Sequence, residues 1–210
     1  VCLKDKCRKY GVSQSDIRET VERIVFERAS SFVVGVDRDI VDSNILEALK
    51  SEEIVVESKN KIRLKYDIFE DICFERYIDK AFDACCGLYN DFFVKIEKIG
   101  RCIYRRYQIW ISNKLFVQEA REKFIYTLLT DNSIQVNWKK QTEIGIVKSK
   151  YCVLFFEEFR ELLNEKVISD LIDITNLYAF EAKINHSPTL IMNVTPIGAA
   201  REYLIGIVFE

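Results

Sequence analysis

Ile54–Tyr77 reads IVVESKNKIRLKYDIFEDICFERY, and its hydrophobic period changes half-way. Apolar and charged residues alternate on both sides of Ser58-Lys59-Asn60, the pattern of a short β-hairpin closed by a tight polar turn. From Tyr66-Asp67 onward Ile68, Phe69, Ile72, Cys73 and Tyr77 recur at helical spacing, with Glu70, Asp71, Glu75 and Arg76 between them. This predicts an amphipathic helix running to about Cys86, where Gly87 stops it.

The residues before the hairpin follow the same logic. Val1 to Tyr10 are basic and contain cysteine, and Gly11 ends whatever short helix they form. Ser13 or Ser15 can cap a helix carrying Ile17, Val21, Ile24 and Val25, which ends near Ser30-Ser31. Phe32 to Val36 is a short apolar segment broken by Gly35, suited to a brief strand or an irregular buried link. Asp42 or Ser43 then caps a compact helix through Ile45, Leu46 and Leu49. Helix, link, helix, hairpin is the order of a winged-helix domain, expected over residues 1–86.

Past Gly87 the pattern is helix after helix, expected over Leu88–Ile99, Arg101–Lys114, Glu119–Leu129, Trp138–Val147, Val153–Leu163 and Ile168–Phe180, with a last helix from Ala199. Short polar connections such as Thr130-Asp131-Asn132-Ser133 suit antiparallel neighbours. His186-Ser187-Pro188 opens the longest loop. The expected class is mainly α: a winged helix with a short β-hairpin, then an α-helical hairpin or superhelical array over 87–210.

Composition narrows the function. About half of the 210 residues are apolar, with only 7 Gly and 2 Pro, which favours a buried, mainly helical protein over a disordered one. Lys and Arg number 31 against 33 Asp and Glu, which argues against a domain that coats nucleic acid. The seven cysteines are odd in number and irregularly spaced, and the single histidine is His186. That combination suits reduced thiols in a cytoplasmic protein and makes a metal site unexpected. No apolar run approaches the roughly 20 residues that span a bilayer, and no signal peptide is expected. The chain opens on Val1 in what reads as the middle of a helix or linker, so an excised piece of a larger protein is expected.

The order of parts resembles the C-terminal side of the nucleotide-switching core of STAND-type NTPases, a group that includes NB-ARC and NACHT signalling proteins and bacterial antiphage defence sensors. Lys65-Tyr66-Asp67-Ile68-Phe69-Glu70-Asp71, continuing to Phe74 and Arg76, resembles the family segment R-F-x-H-D-x-x-x-D-Y-x-x-A-R. Arg105-Arg106-Tyr107-Gln108-Ile109-Trp110-Ile111 is similar to the family's basic-aromatic helix, and Val136-Asn137-Trp138-Lys139 to a P-x-W-R/K helix start. Pro196-Ile197-Gly198-Ala199-Ala200-Arg201 resembles another family turn. The resemblance implies a regulatory region that docks on a neighbouring ATPase domain and couples it to sensor repeats of the same chain, with ATP or ADP held by the parent protein and oligomerisation of the parent as a further consequence. It also implies that Tyr66 and Asp67 sit at a nucleotide-sensing position. The family has His where this chain has Tyr66, and a phenol does not become cationic near neutral pH. No phosphate loop and no acidic Mg²⁺ strand occurs, so no catalytic residue and no cofactor is assigned to these residues.

Each remaining group carries a plainer reading beside the functional one. Asp67 can cap the following helix. Glu70, Asp71 and Glu75 can form an interdomain contact, a pair of catalytic carboxylates, or a solvated or salt-bridging face, and on one exposed helix face the last is expected. Lys95, Lys98, Arg101, Arg105 and Arg106, interleaved with Tyr104, Tyr107 and Trp110, can bind single-stranded nucleic acid or can be a core of aromatics edged by paired cations; the second is expected. The helix that would read DNA carries Asp42, Glu47, Glu52 and Glu53 against Lys50 alone, which repels phosphates. His186 beside Ser187, with Cys152, matches no catalytic triad. The competing functions are a winged-helix DNA-binding regulator with a helical dimerisation domain, and a plain helical protein-interaction module.

Overall fold

The computed structural model describes residues 10–183 and 195–208, and of 179–183 the backbone alone; Cys2, Cys7 and His186 lie outside the described residues. The fold is mainly helical with one small sheet. Packing divides the chain into two units, Val1–Cys86 with Val94–Ile103, and Gly87–Phe93 with Tyr104–Glu210.

In the first unit α1 (Gln14–Ser31) begins with a capping box: the Ser13 hydroxyl accepts from Asp16 N, and the Asp16 carboxylate accepts from Ser13 N. Two orphan amides are thereby satisfied, and of the two serines the sequence offers, Ser13 is the cap. The helix ends at Phe32, held left-handed at φ 53°. Phe32 is 76% and Val34 78% exposed, so of the two forms expected, a brief strand or a buried link, the segment supplies the strand, and only from Val36. It turns inward only at β1 (Val36–Asp37), where Val36 enters the core and pairs with Ile62. Gly35 makes that approach feasible, because a Cβ there would sit 3.1 Å from the Ile62 carbonyl oxygen. A 3₁₀ turn (Arg38–Ile40) leads to α2 (Ser43–Ser51), capped by the Asp42 carboxylate on the amides of Asn44 and Ile45 at 2.8 and 3.3 Å. Such a cap contributes about 1 kcal/mol.

The hairpin follows as β2 (Val55–Ser58) and β3 (Lys61–Leu64), in register Val55 opposite Leu64 and Ser58 opposite Lys61. Its turn is the two residues Lys59-Asn60, at φ 51° and 61°. Two consecutive positive φ values are those of a type I′ turn, whose twist matches the strands it joins. Sheet order is β1-β3-β2, all antiparallel. Val55, Ile62 and Leu64 face the core, where α1 contributes Ile17, Ile24 and Val25 and α2 contributes Leu46 and Leu49. Helix α3 (Asp67–Cys85) closes the unit and stops at Cys86, left-handed at φ 47°, followed by Gly87 at φ 88°.

Helix α4 (Tyr89–Glu97) divides between the units. Its second half stays with the first, where Ile96 and Ile99 are buried and the Tyr77 hydroxyl donates to the Lys95 carbonyl at 2.9 Å. The grouping changes within α4 after Phe93, and Val94–Ile103 belong to the first unit.

The second unit contains the start of α4 and then α5 (Ile103–Lys114), a π-helical turn (Ala120–Ile125), α6 (Tyr126–Thr130), α7 (Val136–Val147), α8 (Cys152–Glu158), a 3₁₀ turn (Arg160–Leu162), α9 (Glu165–Lys183) and α10 (Pro196–Val208). The expected helix over Glu119–Leu129 is thus a π segment followed by a short α-helix. Trp138 is fully buried, stacked on Phe93 with centroids 4.8 Å apart and met edge-on by Tyr104 and Tyr107. Gly145 lets α7 come against α5, since a Cβ there would fall 2.8 Å from Ile111 Cβ.

Candidate functional site

The surface at which the sequence places its functional residues is built on β3 and α3. Residue Lys65 leaves the strand with its ammonium 2.5 Å from the Glu53 carboxylate and over the Tyr66 ring. Tyr66 is the helix N-cap by backbone alone, with no side-chain capping bond. Its ring is 49% exposed and tilts against Phe69, with centroids 6.2 Å apart. Asp67 is therefore the first helical residue, not the cap, and its carboxylate favours the helix only through the positive end of the dipole.

The buried face of α3 consists of Cys73, Phe74, Ile78, Ala81 and Cys85, packed toward α1. Phe26 of α1 lies against Phe74 and Tyr77, with centroids 6.0 and 5.0 Å apart. Ile68 and Ile72, which recur at helical spacing in the same amphipathic pattern, remain 57% and 46% exposed. They share the outer side of the helix with Glu75. Phe69 and Tyr77 are half-buried.

The acidic residues do not form one face. Glu70 points back to α1 and pairs with Arg28, both largely covered. Asp71 is half-buried, and its Oδ1 is enclosed. Glu75 alone of the three is exposed. Nearby, the Glu22 carboxylate lies 3.7 Å from Arg76 and 3.6 Å from Lys80. Partly covered pairs such as these hold α3 on α1 while leaving Ile68 and Ile72 outside.

The surface a DNA reader would use is largely neutralised by its own residues. On α2, Lys50 is bound at 3.1 Å by both Glu47 and Glu57, which raise its pKa. On the hairpin Lys61 pairs with Asp37 at 2.7 Å, Lys65 with Glu53, and Arg38 with Glu57 at 3.6 Å. Of the hairpin's cations, Lys59 and Arg63 have no ion pair among the described residues.

The basic stretch after Lys95 also comes apart. Lys95, Lys98 and Arg101 belong to the first unit and are exposed; Arg105 and Arg106, exposed and half-buried, belong to the second. The aromatics between them are not available to stack on bases. Tyr107 and Trp110 are buried, and the Tyr107 hydroxyl lies 2.8 Å from Thr142 Oγ1 with its pKa raised by burial. The Tyr104 hydroxyl accepts from Asn137 at 2.9 Å. The plainer reading, a core of aromatics, describes this segment, and Trp138 at the head of α7 belongs to the same cluster.

Among the described cysteines Cys73, Cys85 and Cys152 are buried and Cys86 and Cys102 exposed, all as free thiols. Burial pushes Cys73 and Cys152 up to about 11, which keeps them from acting as nucleophiles near neutral pH. Among the described cysteines, iodoacetamide at pH 8 is expected to modify Cys86 first and to reach Cys73 and Cys152 only after unfolding. Peptide mapping of the labelled sites would show this, and early labelling of Cys152 would contradict its burial. No group of three or more His, Cys, Asp or Glu among the described residues is placed to hold a metal ion. No described helix is long and apolar enough to cross a membrane.

No protein-family model matches the chain, and no curated protein matches it.

What spacing alone missed is the exposed pair Ile68 and Ile72. The signal was present: α3 carries apolar residues around more than half its circumference, and only one stripe can face α1.

Proposed function

We propose that the chain is a non-catalytic regulatory region of a STAND-like signalling ATPase, in which the hairpin and α3 dock on the nucleotide-holding domain and the helices after Gly87 couple it to a sensor. The observation that carries this reading is the outer side of α3, where Tyr66, Ile68 and Ile72 are exposed beside Glu75 on a helix otherwise well packed. Exposed apolar side chains edged by acids suit a protein surface better than a polyanion. Tyr66 and Asp67, at the junction of β3 and α3, stand where the family places its nucleotide-sensing pair. Tyr66 offers one neutral hydrogen-bond donor there, so it would report closure without the charge that a histidine adds. Docking of this face in one nucleotide state and its release in the other makes a two-state element biased from either end.

Two measurements test the reading. Fluorescence anisotropy with a labelled 20-base-pair duplex at low salt is expected to show no saturable binding below roughly 10 μM, weaker than is usual for DNA readers. Tight, salt-dependent binding would instead favour a DNA-binding regulator. In a protein carrying the proposed ATPase neighbour, Ile68→Asp with Ile72→Asp is expected to speed ADP release severalfold. Because both sites are exposed, each change should alter the stability of this unit by no more than about 0.5 kcal/mol. Unchanged ADP release in a normally folded variant would exclude this face from docking.

A further inference from the structure

The second unit contains a cavity of about 280 Å³ lined by residues of α6 to α9 and the 3₁₀ turn. Its walls are apolar, with Leu129, Ile146, Phe155, Phe156, Leu163 and Leu171 among them. An engineered cavity of about 150 Å³ accommodates benzene, so this one has room for a single ring with a short side chain. Its polar lining is specific in sign. The ionisable groups on its wall are two carboxyls, Glu143 of α7 and Glu161 of the 3₁₀ turn, and no cation lines it. Neither carboxyl is engaged by an ion pair or a hydrogen bond among the described residues. Thr130, by contrast, donates to the Tyr126 carbonyl, and the Asn164 side-chain oxygen is taken by Val167 N.

We propose that this cavity binds a compact hydrophobic primary amine, its ammonium on the Glu143 carboxylate and its ring among the aromatic and aliphatic walls. A pocket whose walls are mainly apolar, whose Thr130 hydroxyl and Asn164 oxygen are already engaged, and whose ionisable groups are two acids rewards one kind of ligand: an apolar body with a single cationic end. An unpaired carboxyl in such a place is costly to ionise, and burial together with Asp170 of α9 pushes Glu143 up to about 7. Lys139 and Lys140 of its own helix act in the opposite direction. The Lys139 ammonium is committed to the Leu129 carbonyl at 3.1 Å, and Lys140 is exposed. A ligand ammonium would provide the close counter-charge that the protein does not. The site is independent of the docking face on the first unit.

The sign of the pH dependence follows. The amine stays protonated to about pH 10, while Glu143 ionises through about 7. Affinity for the amine should therefore rise between pH 6 and pH 8, whereas a neutral ligand of the same shape should bind equally at both.

Isothermal titration of the whole chain with phenethylamine and with 2-phenylethanol tests this. At pH 8 the amine is expected to bind with a sub-millimolar Kd, a reasonable value for about nine heavy atoms, and at least tenfold more tightly than the alcohol. Glu143→Gln should bring the two to parity with a cooperative thermal transition retained. Val167→Phe, which fills the cavity, should weaken both. Should the Gln variant not fold, the pH dependence in the unaltered protein and the Val167→Phe result decide the matter. Absence of saturable amine binding, equal binding of amine and alcohol at pH 8, or unchanged amine affinity in a folded Glu143→Gln variant would each overturn the proposal.

Discussion

Replacing Trp138 by Ala is expected to destabilise the second unit by about 3–5 kcal/mol, the usual cost of emptying a large buried aromatic site. The ring is fully buried and touches three others: stacked on Phe93 and edge-on to Tyr104 and Tyr107. Each aromatic pair adds roughly 0.5–1.5 kcal/mol beyond its buried area. Its backbone carbonyl also accepts from the Thr142 hydroxyl at 2.9 Å, which leaves that oxygen to accept from Tyr107. The cavity would therefore loosen the polar pair as well as the ring cluster. Since whole domains are stable by only about 5–15 kcal/mol, urea unfolding followed by far-ultraviolet circular dichroism should show an early transition for this unit. Trp138→Phe is a discriminating control. The indole nitrogen is buried without a hydrogen-bond partner among the described residues, so Phe removes an unsatisfied donor along with part of the ring. It should cost clearly less than Ala; equal losses would mean that the ring contacts are not what stabilises the site.

Arg121→Ala is expected to be of similar severity, about 3–5 kcal/mol, for a different reason. Arg121 is 5% exposed and lies in the π-helical turn. Its guanidinium grips Glu158 through two bonds of 2.6 and 2.7 Å and donates to the Leu115 carbonyl at 2.8 Å. Truncation removes a charge-assisted fork and leaves a buried carbonyl without its donor. The partner carboxylate is held below its usual pKa of 4.5 by Arg121. A depressed acid contributes stability that is present above pH 4.5 and lost as the pH falls below it. Acid titration of the unaltered protein should therefore show a loss of stability below that pH that is absent from Arg121→Ala. Replacing both residues by Met should recover much of the loss, because an apolar pair avoids the cost of desolvating two charges. A double-mutant cycle separates these contributions, and additivity of the two single losses would show that the pair is not coupled.

Much of the first unit was legible before any coordinates. The alternation around Ser58-Lys59-Asn60 has only one register that buries Val55, Ile62 and Leu64 together, so the hairpin followed from side-chain period. Ser13 or Ser15, and Asp42 or Ser43, announced helix starts because such oxygens reach free amides at that spacing, and Ser13 and Asp42 are the caps. The π turn at Ala120–Ile125 was not legible, since nothing in a helical pattern states how wide a turn will be; it emerges where Arg121 reaches Glu158, 37 residues away. Of the segment Phe32–Val36, the brief strand expected begins only at Val36, and Phe32 and Val34 stay exposed for a related reason. Hydrophobic composition says that a segment gains from burial, not that a partner is present to cover it.

The candidate site divides the same way. Tyr66, Asp67, Ile68 and Ile72 were visible as one helix beginning after a strand, yet spacing did not say that the two isoleucines would lie on the surface. Helical periodicity specifies which residues share a side, and α3 has two apolar sides. Only the position of α1, with Phe26 against Phe74 and Tyr77 and Arg28 on Glu70, selects the stripe that is buried. The run from Lys95 to Trp110 was a single basic-aromatic segment in sequence, but α4 and α5 distribute it between two cores. The hairpin and the capped helix starts came from interactions within a few residues, which the sequence contains, whereas the π turn did not. Burial and charge environment depend on partners brought together by packing, as at Glu143 beside Asp170, and these emerge only when the chain has folded.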